Sequence, residues 1–346
     1  MTTDPDPAGQ LLSLPPPRMN AGRLARLVED HWGLTGSYTQ LTSERDLNHR
    51  LDTATASFTV KLSNPAEPSE LTDFQTRALL HAAVADPDLP TPRVIPTRDG
   101  HPILRCDEGA LRLLGWCPGT PVAHLPRTPA LAWATGAALA RLTAALASFD
   151  HRAADHVLFW DIRQFPRLAP LLNALPADLG HDLQPGAAAF LDQFKAEVAP
   201  ALARLPKQVV HADFNPHNLL ADPTRPDTLT GILDFGDMVR SHKICDLATA
   251  CSYQIDPADP LHLLAPLLSA YHAHLPLTEA EIRLLPSLIT ARMFTTLIIS
   301  GWRAARYPQN AAYILRNAPS ARAGLAAAAS LTPRQLNAAC EGAYPS

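Results

Sequence analysis

VVHADFNPHNLL, residues 209–220, follows an apolar lead-in with His211, Asp213, Asn215, His217 and Asn218. Two chemistries use such a cluster. In one, His211, Asp213 and His217 are metal ligands, although a catalytic metal site needs three placed ligands with supporting partners and this stretch contains no H-E-x-x-H or H-x-H. In the other, Asp213 and Asn218 do separate jobs on a nucleotide and its Mg²⁺. The stretch GILDFGDM, residues 231–238, favours the second. It places Asp234 of an apolar-Asp-Phe-Gly run a short hairpin beyond H-x-D-x-x-x-x-N. Phosphoryl transfer needs a carboxylate on the attacking hydroxyl, an oxygen ligand for Mg²⁺ nearby, and a second carboxylate joining Mg²⁺ to the phosphates. Asp213, Asn218 and Asp234 meet those needs in that order.

The same chemistry requires a cation on the triphosphate from a separate element. In ASFTVKLS, residues 56–63, Phe58, Val60 and Leu62 alternate with Thr59 and Lys61. A strand with that period turns Lys61 away from the buried side.

The totals set the frame. A chain of 346 residues with 47% hydrophobic and 18% charged residues and a mean hydropathy of -0.04 builds a substantial core, and its length suggests two lobes. A net charge of -4 without a basic stripe gives no reason to expect nucleic acid or an anionic membrane as partner. No uninterrupted apolar run reaches membrane-spanning length. Five scattered cysteines without a C-x-x-C pair suit a reducing compartment. The early acids and prolines of MTTDPDPAGQLLSLPPPRM are unlike a secretory signal, so the expected location is cytoplasmic. The composition leaves the oligomeric state open.

Residues 1–18 are Pro-rich and aperiodic and read as a flexible tail. Residues 19–116 read as a first lobe. Leu24, Leu27, Val28 and Trp32 recur at helical spacing; GSYTQLTS, ASFTVKLS, TPRVIP and ALRLLGW read as strands; and a helix over 69–85 falls between the second and third. Residues 117–346 are mainly helical, with helices expected over 128–149, 186–204, 259–274, 279–306 and 318–330. Three short runs there, KQVVH, NLLAD and LTGILDF, read as small strands that carry loops. The expected class is α+β, with a small antiparallel sheet followed by a helical lobe.

SERDLN, FTVKLSNPAE, PTPRVIPTRDG, HADFNPHN, ILDFGDM and SGWRAARYPQN together resemble the small-molecule kinases that include aminoglycoside phosphotransferases and choline kinases, and most closely the hydroxylysine-kinase-like branch. The resemblance implies a two-lobed protein-kinase-like fold with ATP or GTP between the lobes. LRLLGW, with Leu113 and Trp116, would be the hinge that meets the base. It also implies a small amino alcohol or amino acid as acceptor, with hydroxylysine leading and aminoglycosides or a catalytically silent binding module as alternatives.

Two departures stand out. TSERDLNHR, residues 42–50, takes the place of a Gly-rich phosphate loop, which leaves Ser43, Asn48 and backbone amides to cover the phosphates. The helical glutamate that pairs with the strand lysine has no counterpart either: its slot falls on Gln75, with Glu70 and Asp73 nearby. By resemblance, Trp160, Asp161, Arg292, Trp302, Arg303 and Asn310 are acceptor-site candidates. The aromatics Trp160, Trp302 and Tyr313 are candidates to line an acceptor pocket, although large aromatics in helical proteins are more often simply core. Asp237 reads either as a group reaching Mg²⁺ or a substrate amine, or as a solvated loop residue. Asp246, at a helix start, is expected to cap that helix or anchor the catalytic loop rather than bind substrate. His211 is expected to pack the loop.

Overall fold

The computed structural model describes residues 16–342 except Glu44 and His181. Most of the expected N-terminal tail, residues 1–15, lies outside the described residues.

The described residues open with α1 (Ala21–Trp32). Asn20 caps it by accepting from the Gly22 and Arg23 amides, and Gly33 ends it with φ 72°, a left-handed conformation glycine adopts without a Cβ clash. Strands β1 (Ser37–Leu41), β2 (Leu47–Asp52) and β3 (Ser57–Ser63) follow, then α2 (Ser69–Ala85), β4 (Val94–Ile95), β5 (Leu104–Cys106) and β6 (Gly109–Gly115). They form one antiparallel sheet in the order β1-β2-β3-β6-β4, with β5 also on β6.

Strand β2 occupies residues that the sequence reading assigned to a phosphate-covering loop. Its Leu47 and Leu51 are buried beneath α1, but His49 lies between them on the same face, which hides the period-2 pattern. The sheet also gains a layer: Leu24, Val28 and Trp32 of α1 pack on Leu47, Leu51, Val60, Leu62, Leu111 and Leu113. The other face of the sheet turns Asn48, Lys61 and Arg112 toward the cleft. These three are direct neighbours across β2, β3 and β6, since Asn48 pairs with Lys61 and Lys61 with Arg112. Helix α2 packs through Phe74, Ala78, Leu79 and Ala82 into the larger core shared with the helical region.

Beyond β7 (Thr120–Pro121) the long helices are α3 (Pro129–Ala145), α4 (Gln184–Gln193), α5 (Lys243–Ser252), α6 (Leu264–His274), α7 (Glu279–Arg306), α8 (Ala318–Ser330) and α9 (Pro333–Glu341). The helix expected over 186–204 is interrupted by a π turn at Phe194–Val198. Pro200 has no N–H to offer the Ala196 carbonyl, so the regular ladder fails there. Helix α7 is long and apolar enough to cross a membrane by length and composition, yet here it is mostly buried in the protein. Its Thr290, Thr295, Thr296 and Ser300 hydroxyls donate to carbonyls four residues back, which satisfies them inside the core.

The three expected short strands are present: β8 (Gln208–Val210), β9 (Leu219–Asp222) and β10 (Arg225–Ile232), with β11 (Val239–Ser241) pairing β8. They hold the two polar loops side by side. The Leu233 N–H donates to the Asn218 carbonyl at 2.7 Å, and the Ile232 N–H reaches the Pro90 carbonyl below the first sheet at 2.8 Å.

Candidate active site

Both loops bend through left-handed backbone at a residue other than glycine: Ala212 at φ 64° and Asp234 at φ 58°. Such a conformation persists only where the surroundings enforce it. At Ala212 the enforcer is Asp246, buried near the start of α5, whose two oxygens accept from the His211 N–H at 3.0 Å and the Ala212 N–H at 2.9 Å. Burial pushes the Asp246 carboxyl up, against the pull of His211 and of the two amides. Asp246 therefore anchors the 209–220 loop, as expected.

His211 is committed on both ring nitrogens. Nδ1 accepts from the Asp213 N–H at 3.3 Å, which leaves Nε2 to donate to the Leu233 carbonyl at 2.9 Å, and the ring meets Phe214 and Phe235 edge-on. His217 faces Asn317, 3.3 Å from its Oδ1. Burial, with Arg316 nearby, pushes the His217 imidazole below its ordinary value. Among the described residues no group of three His, Cys, Asp or Glu side chains could hold a metal ion. The metal-ligand reading of His211, Asp213 and His217 is set aside on this geometry.

Asp213 is fixed by two partners. Arg292 Nη2 donates to Oδ1 at 3.2 Å, and Asn218 Nδ2 donates to Oδ2 at 2.8 Å and to the Asp213 carbonyl at 3.0 Å. With its NH₂ so engaged, Asn218 leaves its carbonyl oxygen for the cleft. Asp234 lies open to the cleft, with Oδ1 accepting from the Gly236 N–H at 3.2 Å. The surrounding cleft walls shield it from part of the solvent and work against its charge, but Lys61 and Arg45 overcome that and hold its carboxyl below the ordinary range. An amide oxygen beside an ionised carboxylate is a donor set that suits a hard divalent cation whose remaining ligands are phosphate and water.

Lys61 does not pair with α2. Its Nζ lies 2.8 Å from Oδ2 of Asp46, in the turn that leads into β2. Burial opposes the charge of both partners, but mutual attraction dominates: the Lys61 ammonium is raised and the Asp46 carboxyl lowered. Gln75 is buried behind them and serves Arg112 instead. Arg112 Nη2 donates to Gln75 Oε1 at 3.2 Å and to Ser63 Oγ at 2.8 Å, Nη1 donates to Thr76 Oγ1 at 3.3 Å, and Gln75 Nε2 continues to Glu67 at 3.2 Å. Glu70 and Asp73 are engaged outside the cleft, with Arg152 and with Arg77 and His151.

The other expected site residues divide. A cavity of about 580 Å³, within the range of small-molecule sites, is lined by Ser43, Asn48, Gln75, Trp116, Trp160, Asp237, Arg292 and Arg303, along with Asp213, Asn218, Asp234 and Lys61. The Asn48 Oδ1 is buried without a hydrogen-bond partner. Ser43 accepts from the Asp46 N–H at 3.2 Å and so shapes its own turn. Four expected residues fall outside, among them Asn310, which sits in the 3₁₀ turn Pro308–Asn310 beyond α7. Leu113 packs under α1, and its neighbour Leu114 lines the cleft. Asp161 is buried against Arg163 and Ser241, where it caps a 3₁₀ turn. Trp302 stacks with Arg306, away from the cavity.

Arg45, Asp46, Arg112, Tyr253, Arg316 and Asn317 also line the cavity, and the sequence reading did not single them out. Arg45 Nη2 contacts Asp237 Oδ1 at 3.1 Å. Burial and the neighbouring Asp213 and Asp234 push the Asp237 carboxyl up despite Arg45. Arg292 donates through Nη1 to the Trp160 carbonyl at 3.0 Å and lies over that indole.

The model of the APH phosphotransferase enzyme family matches residues 37–285. The chain belongs to that family. This APH-family phosphotransferase is 27% identical over 320 residues to the hydroxylysine kinase of Danio rerio, covering 86% of this chain and 88% of that one. It is 34% identical over 191 residues to the homoserine kinase of Nitrobacter winogradskyi, covering 51% of this chain and 55% of that one. Among solved structures, an amicoumacin kinase in complex with AMP-PNP, Ca²⁺ and Ami superposes with a TM-score of 0.67 at 14% identity, covering 92% of this chain and 97% of that one. A microcompartment-associated aminopropanol kinase gives 0.66 at 18%, covering 92% and 98%. The expected two-lobed kinase-like fold is thus observed, and the enzyme is a phosphotransferase acting on alcohol groups.

Proposed function

We propose that the enzyme moves the γ-phosphoryl group of ATP or GTP to the hydroxyl of a small amino acid, with hydroxylysine leading. The observation that carries the acceptor class is the mixed charge of the cavity lining. Arg292, Arg303 and Arg316 line it from α7 and the segment before α8, while Asp213 and Asp237 line it from the loops. A zwitterionic amino acid needs a cation for its carboxylate and a carboxylate for its ammonium, and this lining offers both. The similarity to hydroxylysine kinases over most of both chains supports the same choice. Homoserine, also a hydroxy amino acid, is the second candidate, supported by the similarity to homoserine kinases.

In this reading Asp213 orients the acceptor O–H, held in place by Arg292 and Asn218. As the acceptor oxygen bonds to the γ-phosphorus, the bond to the β,γ-bridging oxygen breaks, the nucleoside diphosphate leaves, and the acceptor proton passes to Asp213. Asn218 and Asp234 would hold Mg²⁺, which would supply charge neutralisation on the phosphates. Lys61, steadied by Asp46, meets the triphosphate, and Trp116 and Leu114 flank the base end. The five cysteines are free, which suits the cytoplasmic location expected from the sequence.

The test is a coupled assay for nucleoside-diphosphate release, run with ATP and with GTP, across 5-hydroxylysine, homoserine, ethanolamine, 1-amino-2-propanol and an aminoglycoside. The expected result is a kcat/KM on one of the two amino acids at least about tenfold above every acceptor without a carboxylate, the size of one well-placed charge contact. A preference for ethanolamine or aminopropanol would overturn the amino-acid reading.

A further inference from the structure

The turn between β1 and β2 does more than replace a Gly-rich loop. At Arg45 and Asp46 its backbone is tethered: the Asp46 N–H donates to Ser43 Oγ at 3.2 Å, Asn64 Nδ2 donates to the Arg45 carbonyl at 3.2 Å, and the Asn64 N–H donates to Asp46 Oδ1 at 3.3 Å. From this tethered backbone the Arg45 side chain crosses the cleft to the Asp-Phe-Gly-Asp loop, where Nη2 meets Asp237 Oδ1 at 3.1 Å. It also lies against the backbone there, since a Cβ placed on Gly236 would come within 3.0 Å of the same Nη2. The guanidinium therefore sits at the glycine next but one to Asp234, beside the space a metal-bound terminal phosphate must enter. Lys61 is already held by Asp46 and Arg112 by Gln75, Ser63 and Thr76, and Arg45 is a further cation reaching this space from the sheet side.

We propose that Arg45 is a phosphate-gripping catalytic residue whose guanidinium exchanges Asp237 for the γ-phosphate when the triphosphate is bound. The inference rests on the nucleotide-dependent reading above. An arginine offers a planar fork of donors that matches phosphate oxygens better than it matches a single carboxylate oxygen, and a cation on the transferring group stabilises the charge it spreads in the transition state. The exchange leaves Asp237 facing the acceptor space without its arginine, so a nucleoside diphosphate, which lacks the γ-phosphate, would leave the Arg45–Asp237 pair intact.

Isothermal titration with Mg²⁺ and either AMP-PNP or ADP, with no acceptor present, tests the assignment on wild type, Arg45→Gln, Arg45→Lys, Asp237→Asn and the Arg45→Gln/Asp237→Asn double variant. Melting curves verify that each is folded. Arg45→Gln is expected to weaken AMP-PNP tenfold or more while ADP changes less than twofold, with partial recovery in Arg45→Lys. Asp237→Asn, which frees the guanidinium, is expected to tighten AMP-PNP severalfold, and the double variant to lose that gain. Equal weakening of both nucleotides by Arg45→Gln would make Arg45 a structural tie and overturn the proposal, as would an Asp237→Asn variant that weakens AMP-PNP the way Arg45→Gln does. A wild type that binds neither nucleotide would overturn the donor reading, and this inference with it.

Discussion

Replacing Asp46 with asparagine removes the carboxylate 2.8 Å from the Lys61 ammonium while keeping the volume of the side chain. The two side chains retain only 17% and 16% of their exposure, so the change strands a largely buried cation. Stranding a fully buried charge costs about 3–5 kcal/mol. Here residual water and the field of Asp234 compensate in part, so the expected loss is about 2 kcal/mol of stability. Lys61 also gains freedom to swing toward Asp234, and a loss of about 1.4 kcal/mol in its placement corresponds to about tenfold in kcat/KM for the nucleotide. The pH dependence follows from the two shifts. The Asp46 carboxyl is lowered on folding, so its contribution is present above the unfolded value of about 3.9 and is lost as pH falls through the lower folded value. The Lys61 ammonium is raised, so its contribution is complete below about 10.4 and is lost only as pH rises through the folded value. The stability gap between wild type and Asp46→Asn should therefore be flat from about pH 6 to 9 and close in acid. Gln75→Leu is the control. It deprives Arg112 and Glu67 of a partner, at about 1–2 kcal/mol, but leaves Lys61 paired, so nucleotide kcat/KM should stay within about twofold. Steady-state kinetics with varied nucleotide and chemical denaturation across pH measure both. If Gln75→Leu impairs nucleotide use and Asp46→Asn does not, Lys61 is positioned from α2 and this reasoning is wrong.

Asp213→Asn should lower kcat by about a hundredfold or more with nucleotide affinity little changed, since the acceptor proton loses its base; this is checked by single-turnover kinetics alongside nucleotide titration. Asp246→Asn offers one acceptor and one donor to two backbone N–H groups, so it should cost about 2 kcal/mol in denaturant melts and lower kcat as the Ala212 bend relaxes. Arg141→Met removes a paired contact, 2.8 and 2.7 Å, between α3 and Asp86 at the end of α2, and should cost about 1 kcal/mol at pH 7. Because hydrogen bonding to Arg141 holds the Asp86 carboxyl below its ordinary value, that difference should fade as pH drops below about 4, which denaturation at pH 7 and pH 3 resolves.

What was legible in the sequence is what chemistry fixes along the chain. Asp213, Asn218 and Asp234 stand at spacings that two short strands can bring together, and the alternation around Lys61 places it on the cleft face. What was hidden depends on pairings distant in sequence. No local pattern tells that the carboxylate holding Lys61 comes from a turn rather than a helix, or that Arg316, far down the chain, returns to the cleft. Other errors were avoidable, because helix geometry itself excludes them. Arg292, Thr296, Ser300 and Arg303 of α7 all line the cavity, and they recur at intervals of four, four and three, the repeat of one helix face. Trp302 is one residue before Arg303, a rotation of about 100°, and therefore points to another side, where it meets Arg306. Leu113 fails by the strand version of the rule: Leu111 and Leu113 share the face under α1, while Arg112 and Leu114 face the cleft. Applied from Arg292 and Lys61 outward, the two periods alone would have moved the acceptor assignment from Trp302 to Thr296 and Ser300, and the base contact from Leu113 to Leu114.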